Sequence, residues 1–142
     1  MNADELGPEA AALQQAKLHI RGGKRRLRQG KIAAGIVTLY DALGSAMQWY
    51  LLLPGHRALL NISADDNLND DKTIFDVLSR SGVLDRTFDY EAFDRVVDQA
   101  LHESLSDYDY SAMLEGIESV MRQLGVMPFD ESELPPEDPA TF

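Results

Sequence analysis

Leu13, Ala16, Ile20, Gly23, Leu27, Gly30 and Ala34 follow one another at spacings of three and four, the rhythm of a single helical face. Pro8 suits the first turn of that helix, and Glu9 lies near its positive end. The Gly22-Gly23 pair interrupts it. Each glycine costs on the order of 1 kcal/mol of helix stability relative to alanine, so the pair either breaks the helix or admits a close neighbour. A second helix is predicted over 31–53, apolar around most of its girth and stopped by Pro54-Gly55. Its polar members, Thr38, Asp41, Ser45 and Gln48, form one narrow seam. Asp41 at mid-span is costly in lipid, so this segment suits the centre of a helical bundle better than a bilayer. A break at Gly30 makes the two helices an antiparallel hairpin.

Downstream the periods are shorter. HRALLNI (56–62) supports one further turn, and SADDNLNDD (63–71) reads as a polar loop. A helix is predicted at about 72–80, capped by Asp70 or Asp71 and ended near Gly82. The next runs over about 90–104 from an Asp89 cap, with Phe93, Val96, Val97, Ala100 and Leu101 among its apolar positions. The last runs over about 109–124 to Gly125, with Met113, Ile117, Val120, Met121 and Leu124 inward. Strand-like alternation occurs nowhere. The expected fold is all-α: an up-and-down bundle of four to five helices in one domain, 1–125. Residues 126–142, ending in MPFDESELPPEDPATF with its four prolines and five acids, are expected to be a mobile acidic tail.

Charge makes this helical chain two-sided. Its net charge is −11, yet residues 1–60 carry eight Lys/Arg against four Asp/Glu, while 61–142 carry five against 20. The halves are therefore expected to attract each other, within one fold or between copies. With no cysteine, disulfides, thiolate chemistry and Cys-ligated zinc are excluded. MNADELGPEAAA lacks the apolar core of a secretory signal, so a cytoplasmic location is expected.

The basic excess is ordered. Lys17, Arg21, Lys24, Arg28 and Lys31 recur at four, three, four and three, which on a helix aligns all five on one face. Such a stripe concentrates positive potential for an anionic partner, a nucleic-acid phosphate or the chain's own acidic half. DDNLNDDKTIFD approaches a calcium loop through Asp65, Asn67, Asn69 and Asp76, but Asp70 replaces its turn glycine and Asp76 its bidentate Glu. GGKRRLRQGK lacks phosphate-loop spacing and a preceding strand. No metal and no cofactor is expected.

Arg95 and His102 are two helical turns apart, with Glu91 and Asp98 on the same polar side. An imidazole serves as general acid or base near neutral pH, and a guanidinium stabilises developing phosphate charge. The stretch AKLHIRGGKRRLRQGKIAAGIVTLYDALGSAMQWYLL resembles the opening hairpin of HEPN-type helical domains, and Arg95-x6-His102 resembles that superfamily's ribonuclease motif. The resemblance implies an up-and-down helical bundle, often dimeric, acting as a metal-independent ribonuclease or as a non-catalytic partner of a nucleotidyltransferase. Val96 departs from the polar residue usual after the Arg. GKIAAGIVTLYDAL is also similar to part of a tetratricopeptide repeat, but a solenoid needs about three such units and the chain has one. The leading expectation is a non-enzymatic interaction module that self-associates or binds a protein partner through charged helix faces. A ribonuclease using Arg95 and His102, and a nucleic-acid binder using the basic stripe, are the alternatives.

Overall fold

The computed structural model describes residues 7–142 and is helical throughout its ordered elements. These are α1 (Pro8–Arg28), α2 (Ile32–Leu52), α3 (His56–Leu59), α4 (Asp71–Arg80), α5 (Tyr90–Ala100) and α6 (Ser111–Leu124), followed by 3-10 turns at Glu131–Glu133 and Pro139–Thr141. The described residues contain no strand, and no helix among them is long and apolar enough to cross a membrane. Residues 1–6 of the expected domain lie outside the described ones.

Local signals set most of these boundaries. Pro8 opens α1, the Asp70 carboxylate accepts from Thr73 N–H at 3.1 Å to cap α4, and Asp89 caps α5 through Ala92 N–H at 3.0 Å. Gly30 and Gly125 stop α1 and α6 in the left-handed region, at φ 80° and 91°. The largest boundary difference is in α5, which ends at Ala100 rather than near 104; α3 stops at Leu59 rather than 62, and α6 starts at Ser111 rather than 109. The amides of Leu101 and His102 bond back to Asp98 and Gln99, tightening the last turn of α5.

α2 is the axis of the core. Its Ile36, Leu39, Leu43 and Met47 are buried together with Ile20 and Leu27 of α1, Ile74 and Leu78 of α4, and Ile117 and Met121 of α6. The Gly22-Gly23 pair does not break α1; it lets the hairpin close. A Cβ on Gly23 would lie 2.8 Å from Leu39 Cγ, and one on Gly35 of α2 would lie 2.8 Å from Leu27 Cγ and 3.0 Å from the Gly23 carbonyl oxygen. Two bare backbone patches thus face each other, each covered by a leucine from the opposite helix.

Gly44 serves α4 in a similar way, since a Cβ there would meet Asp71 Oδ2 at 2.8 Å. Burial of the Asp71 carboxyl, helped by Asp70 and Asp41, raises its pKa above 3.8. The folded state therefore holds that proton more tightly than the unfolded chain, so its contribution to stability falls as pH rises above 3.8. Asp71→Asn is expected to stabilise the fold at pH 7 by less than about 1 kcal/mol, because solvent screens a half-exposed group. The gain should shrink as pH falls and vanish below 3.8, by about pH 3, as chemical denaturation at pH 7 and in acid would show.

The segment after α6, expected to be a mobile acidic tail, lies against the fold in this structure. Val126 is the last buried residue. Beyond it the chain turns back and runs along α1, where Glu137 forms ion pairs with Arg21 and Arg25. The opposite charges of the two halves meet here, with Phe129 and Phe142 as additional anchors.

Candidate functional site

The basic face of α1 makes three of the six ion pairs among the described residues. Arg21 and Arg25 are one helical turn apart and bracket the Glu137 carboxylate: Arg21 Nε lies 3.2 Å from Oε1 and Arg25 Nε donates to Oε2. Only 12% and 11% of the two arginine side chains, and 17% of Glu137, remain exposed. A carboxylate shared by two guanidiniums with so little solvent is held more firmly than a surface ion pair. Arg21 Nη2 also donates to the Pro135 carbonyl at 2.7 Å, and Arg25 reaches Thr141 Oγ1 at 3.3 Å. The Arg25 guanidinium lies 4.5 Å from the Phe142 ring centre, and Lys17 Nζ lies 5.6 Å from that of Phe129.

The remaining stripe residues divide. Lys24 donates to Glu118 of α6 at 3.2 Å. Arg28 is exposed at the last turn of α1. Lys31 does not share the face, a correction to the five-residue stripe: Gly30 turns the chain, and Lys31 stands just before the first residue of α2. Neither Arg28 nor Lys31 has an ion pair among the described residues. Arg25, which stood outside the stripe, belongs to the site. Its four-residue spacing from Arg21 is the signal that places it there. Arg26 instead turns to α2, donating to Thr38 Oγ1 at 3.2 Å.

His19 borders the crevice between α1 and the acidic segment. Burial lowers its pKa below 6.5, the Arg26 charge adds to this, and Asp41 opposes both. The imidazole beside the site is thereby biased towards its neutral form. The acidic segment does not fill the face. A crevice of about 280 Å³ persists between α1 and residues 135–141, and another of about 210 Å³ lies between the start of α1 and residues 130–134.

Arg95 and His102 occupy a different surface. Arg95 is exposed on the outer side of α5, away from buried Phe93 and Val97. His102 is exposed beyond the helix end. Neither makes an ion pair with Asp98 or Glu91; Glu91 pairs instead with Lys72 at 3.5 Å. Arg95 lines an open groove of about 870 Å³ along α5 with Tyr40 and Leu101, and His102 is not part of its wall. The polar loop 63–71 shows no cation cage: Asp66 accepts from Ser63 N–H at 2.7 Å and pairs with Arg80, and Asp70 caps α4. No group of three or more potential metal ligands occurs among the described residues.

No protein-family profile, curated protein or solved structure matches this chain.

Proposed function

We propose that this chain is a non-enzymatic helical interaction module that engages a protein partner through the basic face of α1. The observation that carries this reading is the seat already formed there. Arg21 and Arg25 hold one glutamate of an extended, proline-containing segment, with aromatic rings on either side. This is how a surface recognises a peptide: charged forks fix the register, and rings and backbone carbonyls supply contact area. The continuous hairpin of α1 and α2 makes the seat rigid.

The test is affinity capture from a host extract with the wild-type chain and with Arg21→Glu/Arg25→Glu. A partner retained by the wild type should be lost from the variant, whose helix content by circular dichroism should be unchanged. Empty captures from both, with a monomeric mass by light scattering, would count decisively against an interaction module.

A further inference from the structure

We propose that residues 127–142 are an intramolecular stand-in for the true ligand of the α1 face, and that this ligand is an acidic, proline-containing segment of a partner protein. The inference rests on the interaction-module reading and adds to it the chemistry of the partner and a means of regulation.

Three observations set this segment apart from a permanent part of the fold. Met127 and Phe129 pack against the core, but beyond them the contacts with α1 are mostly polar, and of residues 127–142 none is buried, whereas Val126 just before them closes the core. Its fit is incomplete, because the 280 and 210 Å³ crevices remain beside it. Its chemistry is also left unfinished. Arg21 Nε is buried and has no hydrogen-bond acceptor, although Glu137 Oε1 is 3.2 Å away. A buried donor without an acceptor is costly, so a segment that aims its carboxylate squarely at Arg21 binds the same face better. Within the stand-in, residues 127–134 tether the Arg-binding end, 135–142, closely, at an effective concentration on the order of millimolar. Such a tether keeps weak anions off the face and yields to a well-matched segment.

The chemistry of the preferred partner follows from what the stand-in offers. It presents an extended backbone carbonyl to Arg21, a carboxylate between Arg21 and Arg25, and aromatic rings to Lys17 and Arg25. Proline holds such a segment extended before binding, which reduces the ordering cost.

Glu137→Lys removes the carboxylate from the stand-in and leaves the face of α1 intact. A fluorescent peptide with the wild-type sequence of residues 127–142 serves as the probe in anisotropy titrations against three full-length chains. The Glu137→Lys chain is expected to bind it about tenfold more tightly than wild type, the ratio of a millimolar tether to a peptide affinity of roughly 100 μM. Arg21→Glu/Arg25→Glu should bind it not at all. Equal affinity for wild type and Glu137→Lys would overturn the stand-in, as would binding that survives the double arginine reversal. A single-stranded RNA that binds the Glu137→Lys chain as tightly as the peptide would reduce the face to a general anion surface. A wild-type dimer that the arginine reversal makes monomeric would overturn the choice of partner in favour of exchange between copies. Loss of a captured partner on arginine reversal, with no peptide binding to any chain, would leave the interaction module standing and remove this inference alone.

Discussion

Gly35→Ala should lower the melting temperature by roughly 4–8 °C, whereas Gly22→Ala should leave it unchanged or raise it by up to about 4 °C. Both changes gain about 1 kcal/mol of helix propensity. At Gly35 the new methyl would lie 2.8 Å from Leu27 Cγ and 3.0 Å from the Gly23 carbonyl oxygen. The side chain is fully packed and the carbonyl belongs to a rigid helix, so the hairpin must open. With backbone as one party to the clash, overpacking here costs about 3 kcal/mol; about 2 kcal/mol remains after the propensity gain, and a chain of this size loses about 2–4 °C per kcal/mol. At Gly22 the methyl would meet only Arg26 Nη1, at 3.1 Å, the far end of a flexible chain. Leu27→Ala is itself costly, but it removes the two closest atoms in conflict and leaves only the Gly23 carbonyl oxygen. Gly35→Ala should therefore cost at least about 1 kcal/mol less in that background, a coupling that a double-mutant cycle measures. Thermal and urea unfolding of the four proteins give the answer. A Gly35→Ala chain as stable as wild type would mean that the hairpin is not closed on its glycines.

The same pair of glycines shows where the sequence could be read and where it could not. Spacing alone located α1, α2, α4 and α6, because each has an apolar stripe and a cap or stop of recognised chemistry, such as Asp70 or Gly125. It left open whether Gly22-Gly23 ends a helix, since local propensity favours a break and the close approach of Gly35, twelve residues on, overrides it. The site was half legible. Four of the five stripe residues lie on α1, and the charge imbalance between the halves anticipated their pairing. Lys31 fell off the face because a glycine turn precedes it, and Arg25 joined because its partners lie more than 100 residues away. The acidic segment was the hardest to place. Its composition is that of a disordered chain, and only the three-dimensional position of Arg21 and Arg25 gives Glu137 somewhere to go.

Phe93→Ala should destabilise the fold by about 3–5 kcal/mol, a large fraction of the 5–15 kcal/mol typical of a domain. Phe93 is only 4% exposed and joins a run of rings: its centre is 6.1 Å from Tyr40 on α2 and 5.6 Å from Phe88, which in turn packs 6.0 Å from Phe75 on α4. That run, with buried Val97 and Ala100, attaches α5 to the core, and an 11-residue helix is too short to persist alone. The loss should therefore be local first. Amide hydrogen exchange should show α5 opening with far less free energy, while the amides of α1 and α2, closed on each other through Gly23 and Gly35, change less. Arg95→Ala on the opposite side of the same helix is the control, expected within about 0.5 kcal/mol of wild type because its side chain is exposed and makes no ion pair among the described residues. Equal costs for the two substitutions would sink the argument. So would a Phe93→Ala chain in which α1 and α2 lose as much protection as α5, for the hairpin would then depend on α5 rather than serve as its platform.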